Sequence, residues 1–393
     1  MDVSTGTPAA AAPAEVSLIR GGPFYRVQHA IGLIREDHWN LGRRITFLIA
    51  VTWLPLLVIT LLTNLKGLHS FLTDYRVHAR LLVAVPALLF GEIYMESRLR
   101  GVLIHLRHSG LLDAPDLANM DGVVAAVIRA RDAYLPELLV LVLLIVHTVA
   151  SYKGLVGDTP WLAHGAGDDV RLTAAGWYAV VVSAPLFQFL LGLGLWKWLL
   201  WTFFAFKLSK RKLRVVATHP DEHGGLGFLG LTASAFAPVA FAATSVIGAT
   251  WRYDIVHHGA RLLDFKLPAI ALIVIIALIA LGPLIFFVPR LMALRRQGIL
   301  EYGILAQIHS SEFHQKWISD RAGREAEFLQ APESSTLNNF GNVYEKIKEL
   351  KPFPADAGSL YMLAAAVAIP ALPVVLTQIP VTVVLTDLLR ALR

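Results

Sequence analysis

The sequence predicts an all-α fold: a polytopic transmembrane helix bundle of about seven membrane segments, with a long cytoplasmic helical extension and a C-terminal amphipathic helix. Three observations predict it. The chain is 55% hydrophobic and only 16% charged, whereas a soluble domain carries about 25% charged residues. Its mean hydropathy is +0.57. Several apolar runs reach the roughly 20 residues a helix needs to cross about 30 Å of hydrocarbon.

The elements follow in order. Residues 1–44 hold an Ala/Pro-rich tail, expected to be disordered, and then a short interfacial helix over "YRVQHAIGLIREDHWNLGRR". The tail lacks a basic start leading into an apolar core, so it does not read as a signal peptide. Membrane segments are expected at Ile45–Leu65, Arg80–Glu96, Leu135–Tyr152, Gly176–Phe204, Gly227–Ala249 and Leu267–Pro289, a six-helix bundle over residues 45–289. Its two main cytoplasmic loops are 97–134 and 205–226. In the first of these, Leu117, Val123, Val124, Val127 and Ile128 form the apolar stripe of a short helix.

Residues 290–357 read as a cytoplasmic helical region. The helical pattern of the sixth span runs on through "RLMALRRQGILEYGILAQIHSSEFHQKW", which predicts one long projecting helix stopped at Pro332. A short helix over Val343–Leu350 follows, with Pro352 as its stop. The block 358–393 contains the seventh segment, Ser359–Thr377, interrupted by Pro370 and Pro373. A hairpin back to the cytoplasm is the alternative to a full crossing. Beyond Pro380, Val381, Val384, Leu385, Leu388, Leu389 and Leu392 recur at helical spacing, the pattern of a helix lying in the interface.

Basic residues orient the bundle. Arg20, Arg26, Arg35, Arg43 and Arg44 precede the first span, and Lys207, Lys210, Arg211, Lys212 and Arg214 follow the fourth. Excess Lys and Arg mark the cytoplasmic side, so the N-terminus is expected inside. The formal charge of +6 then reflects loops facing anionic lipid headgroups rather than nucleic acid. With no cysteine, disulfides and thiolate chemistry are excluded. The chain has no P-loop, no G-x-S-x-G and no dinucleotide fingerprint.

Several groups carry candidate chemistry. In "HPDEHGG", His219, Asp221, Glu222 and His223 put two imidazoles and two carboxylates within five residues. Such groups can bind Zn²⁺ or another divalent metal, sense protons, or leave exposed amides for an anion. A turn explains more of these residues: Pro-Asp starts a reversal, and Gly224 and Gly225 supply positive φ. The fifth span is rich in Gly, Ala, Ser and Thr, a composition that serves close helix packing or lines a pathway. Thr232, Ser234, Thr244 and Ser245 would then supply hydroxyls to an ion or solute pathway. Ionisable groups at membrane depth must face the protein, water or an interface. Glu92, in "LLFGEIYM", needs a partner, and His147 can shuttle protons or simply pack. Lys197, flanked by Trp196 and Trp198, reads as a residue snorkelling to the interface.

Two stretches together carry a resemblance. "THPDEHGGLGFL" after a basic run, and "LNNFGNVYEKIKELKPFP" before a Pro-rich span, resemble a loop and an ending found in a family of uncharacterised bacterial inner-membrane proteins. The resemblance covers roughly the second half of the chain. It implies a bacterial inner membrane and a multi-helix bundle, and it brings no activity, ligand or catalytic residue.

Three functional readings follow. The first is a channel or transporter for a small ion or solute, built as a homo-oligomer and using no cofactor. The second is a membrane scaffold or sensor that binds partners through its cytoplasmic region. The third is a metal-dependent membrane hydrolase using the HPDEH loop.

Overall fold

A computed structural model describes residues 17–35, 39–155, 159–164, 171–319 and 332–378. The expected N-terminal tail, for the most part, and the amphipathic helix beyond Pro380 lie outside the described residues. Most of the described residues are helical, and a two-residue antiparallel hairpin pairs Ala163–His164 (β1) with Arg171–Leu172 (β2), Ala163 facing Leu172.

Among the described residues six helices are long and apolar enough to cross a membrane. They are Leu41–Thr63 (α2), Tyr75–His108 (α4), Ala174–Ser209 (α7), Gly227–His258 (α8), Leu262–Ile285 (α9) and Ala357–Val375 (α12). The intervening helix Tyr134–Leu155 (α6) is apolar over Tyr134–Thr148 and exposes Leu135, Leu139 and Leu143. The remaining helices are Pro23–Ala30 (α1), Leu65–Thr73 (α3), Ala114–Asp132 (α5), Val288–His314 (α10) and Pro332–Glu349 (α11).

Helix α8 is the axis of the bundle. Its most apolar window is 72% buried, against 17–39% for the other five spans. Small residues make that possible by letting backbones close in. A Cβ on Gly91 of α4 would lie 3.0 Å from Pro238 of α8, and one on Gly248 would lie 3.1 Å from the Pro370 carbonyl of α12. Trp198 of α7 donates its indole N–H to the Ile279 carbonyl of α9 at 2.8 Å, tying a third neighbour to the group.

Prolines shape the helices in three ways. In α4 a π-helical turn, Ala79–Ala84, ends two residues before Pro86; in α7 another, Ala179–Ser183, ends two residues before Pro185. A proline ring crowds the preceding turn and donates no N–H, and a widened turn relieves the crowding. At Pro289 the outcome is a break. The long helix expected from the sixth span is two helices, α9 and α10, separated at Phe286–Phe287. Pro332 starts α11 instead of only stopping what precedes it, because a proline's missing N–H is harmless in a first turn.

Segment 17–35 is a docked structure at the end of the bundle where α2 begins. Leu18 and Ile19 are buried. The Ser17 hydroxyl donates to Glu96 (2.5 Å), the Gly22 N–H to Asp132 (3.0 Å) and the Phe24 N–H to Glu137 (2.8 Å).

Candidate functional site

Two clusters of buried charged side chains lie along the seam between α4 and α7. At its near end stands Glu92. One carboxylate oxygen accepts from the Arg44 guanidinium at 2.5 Å, and the other accepts from the Lys197 ammonium. Arg44 comes from α2 and is only 1% exposed; its Nε also donates to Gln28 at 2.7 Å. Glu92 thus has two cationic partners. Lys197 does not snorkel: it turns inward and is buried. A cavity of about 30 Å³ opens beside the cluster, bounded by Phe24, Leu88, Gly91, Leu190, Leu193 and Gly194. It is large enough for a water molecule.

At the far end of the same seam lies a cavity of about 210 Å³. Asp74, Arg76, Arg80, Trp161, Ser183 and Thr250 contribute its polar lining. Both π turns face it, α4 through Arg80 and Leu81, α7 through Ala179, Val180 and Ser183. Such turns recur at functional sites because they re-aim side chains from an otherwise regular helix. Asp74 is fully engaged. It accepts two hydrogen bonds from the Arg76 side chain (2.9 and 3.0 Å), one from the Trp161 indole (3.1 Å) and one from the Arg76 backbone N–H (3.1 Å). Arg76 in turn lies 3.5 Å from the Tyr253 ring centroid.

Between the two cavities the seam is apolar. By helical register, Ala84 and Val85 of α4 and Phe187 of α7 sit one turn beyond each cavity lining, and all three are buried. Arg80 lies over the Phe187 ring at 5.9 Å.

The other candidate residues are placed elsewhere. His147 is exposed on α6. The hydroxyls of Thr232 and Ser245 donate to carbonyls of their own helix, Leu229 and Phe241, each at 2.7 Å. Ser234 does the same to Leu231 and accepts from Tyr94 at 3.3 Å. The Thr244 hydroxyl is buried and has no partner among the described residues.

The loop at 219–225 is a built reversal. The Asp221 carboxylate accepts the N–H groups of His223 (2.9 Å), Gly225 (3.0 Å) and Gly227 (2.8 Å), and His219 Nδ1 lies 2.8 Å away. Partial burial works against its charge, but these donors hold its carboxyl below the usual carboxylate range. Glu222 sits in the left-handed region at φ 58° and pairs with Lys351 at 2.7 Å. That ammonium holds the Glu222 carboxyl below its ordinary value. The Glu222 carbonyl also accepts the Lys351 N–H at 2.8 Å, so the reversal is stitched to the segment after α11. The His219 and Asp221 side chains meet, His223 Nδ1 lies 2.5 Å from the Asp221 carbonyl, and Glu222 pairs with Lys351. Among the described residues no group of three or more His, Cys, Asp or Glu side chains is placed to hold a metal ion.

Arg44, Lys197, Asp74 and Arg80 were not legible as site residues, though a signal existed for two of them. Asp74, Arg76 and Arg80 fall within seven residues just before an apolar run, with the two arginines one helical turn apart. No protein-family model, curated protein or solved structure matches the chain.

Proposed function

We propose that this integral membrane protein passes a small ion or solute along the seam between α4 and α7, in a bacterial inner membrane with its N-terminus in the cytoplasm. One observation carries the reading: two cavities with charged walls lie in line on the same pair of helices, separated by the apolar collar of Ala84, Val85 and Phe187. A purely structural bundle gains little from ions at membrane depth, which are expensive to bury. A pathway needs them, together with an apolar constriction that opens and closes.

The test is flux in liposomes. Chloride, potassium and proton movement are followed with entrapped dyes for the wild type and for Phe187→Ala. Trimming the collar is expected to raise the rate of one of these ions several-fold. Rates equal to protein-free liposomes in both proteins would sink the pathway.

A second reading, partner binding, is favoured by α10. Leu300, Ile304 and Ile308 recur along one side of it and are 63%, 64% and 50% exposed. A stripe of that kind beyond the spans suits a second copy of the chain. Leu300→Glu with Ile304→Glu should lower the assembly mass in detergent if the copies meet there.

A further inference from the structure

We propose that the cavity at the far end of the seam is a binding site for a small oxyanion, a carboxylate or a phosphate, with Arg80 as its principal contact. The inference deepens the transport reading by naming the ligand class of one end of the seam, but it concerns binding and stands or falls without flux.

The argument begins with charge. Asp74 is the cavity's one lining carboxylate among the described residues, and both of its oxygens are taken by Arg76 and Trp161. Arg80 lies within the field of Asp74 but forms no ion pair with it. Its Nε–H is buried and has no acceptor among the described residues. Leaving a buried donor without an acceptor is costly, and an oxyanion supplies the acceptor and a further negative charge through a planar, two-pronged contact that suits arginine.

The surroundings add to the positive potential. Arg252, on the neighbouring α8, lies 4.3 Å from the Tyr75 ring centroid, and its Nε is likewise buried and without a partner. The carboxylate nearest to it in sequence, Asp254, pairs with His258. The hydroxyl donors at the cavity are spent on carbonyls, Ser183 on Thr52 (2.7 Å) and Thr250 on Val246 (3.0 Å). Arginine is left as the recognising group. The volume of about 210 Å³ holds a small acid and is below the range of pockets for drug-sized ligands. Leu56, Val77 and Leu81 line the remainder, which suits an anion with a short apolar body.

Calorimetric titration of the full-length protein in detergent tests the site, using sodium acetate, sodium phosphate and a dioctanoyl phosphatidic acid at constant ionic strength. The expected result is saturable binding of at least one of them with one site per chain. Arg80→Gln should weaken that binding tenfold or more, and Arg80→Lys, which keeps the charge but loses the fork, should weaken it less. Val180→Phe fills the cavity while leaving Arg80 in place, so it should weaken binding as well. Saturation by phosphatidic acid alone would put the oxyanion on a lipid headgroup; saturation by acetate or phosphate would make it a free solute. No saturable binding to the wild type, or wild-type affinity in Arg80→Gln and Val180→Phe, overturns the proposal. Should a variant fail to give a monodisperse elution profile, the wild-type titration and the other variant decide. Binding without flux would retire only the transport reading, and flux without binding would retire only this site.

Discussion

Arg44 and Glu92, 48 residues apart in the chain, meet at 2.5 Å with the arginine 1% exposed. The contact joins α2 to α4, and Lys197 brings in α7 through the other carboxylate oxygen. One carboxylate therefore holds three spans together at the end where segment 17–35 docks. Removing it leaves Arg44 and Lys197 buried without the carboxylate they share. Breaking a buried ion pair from one side costs about 3–5 kcal/mol, whereas replacing the whole group by apolar side chains of similar size is often neutral. Glu92→Gln is expected to lower the unfolding temperature in detergent sharply. The triple variant Arg44→Met, Glu92→Met, Lys197→Met should recover most of that loss. A single variant as stable as wild type would show that the cluster holds nothing.

The hydroxyls of α8 should be quiet. Thr232 and Ser245 each donate within their own helix, so they hold no partner across the bundle. Inter-helix hydrogen bonds in membranes average only about 0.6 kcal/mol, and these are not even that. Thr232→Val and Ser245→Ala are expected to change stability by no more than about 0.6 kcal/mol and to leave ion flux at the wild-type rate. A several-fold drop in flux for either would return the fifth span to the pathway.

Why the spans were legible and the site was not follows from distance. Periods of about 20 apolar residues are local, and helices α2, α4, α7, α8, α9 and α12 fall where such runs predict them. Glu92 stood out because a lone carboxylate in an oily run is locally anomalous. Its partners did not, because Arg44 lies beside Arg43 just before a span and Lys197 lies between two tryptophans, contexts in which a cation normally reaches the interface. Their burial depends on three helices converging, which no window of sequence contains. The break at Phe286–Phe287 was readable in principle, since Pro289 cannot donate back to residue 285. The π turns have a local signal in Pro86 and Pro185, but that both face one cavity depends on how two spans share a wall.

The reversal at 219–225 should weaken on acidification. The Asp221 carboxyl is held below its unfolded value of about 3.9, so its contribution is complete above that pH. It is lost as pH falls through the lower folded value. Charge-assisted hydrogen bonds are worth about 1.5–3 kcal/mol each at most, and three amide donors converge here. Asp221→Asn is thus expected to be less stable than wild type at pH 7, by about 1–3 kcal/mol. The gap between the two unfolding temperatures should narrow steadily below about pH 4. A gap that stays constant down to pH 3 would mean that the carboxylate charge does not hold the turn.

Close packing of α4 on α8 gives the last expectation. At Gly91 an added Cβ would sit 3.0 Å from the Pro238 Cβ, tighter than ordinary van der Waals contact. Pro238 belongs to a rigid ring in the most buried helix of the bundle, so it can yield only if α4 and α8 separate. Gly91 also immediately precedes Glu92 and borders the near cavity, so separation there would pull the carboxylate from Arg44. Gly91→Ala gains helix propensity worth about 1 kcal/mol, which offsets part of the strain. Gly91→Leu gains the same propensity but overpacks the contact, at a cost of about 1–3 kcal/mol. Unfolding temperatures should therefore fall in the order wild type or Gly91→Ala, then Gly91→Leu. Flux through the seam should change in Gly91→Leu alone. A leucine tolerated without loss of stability would show that the two helices are not held in contact at this point.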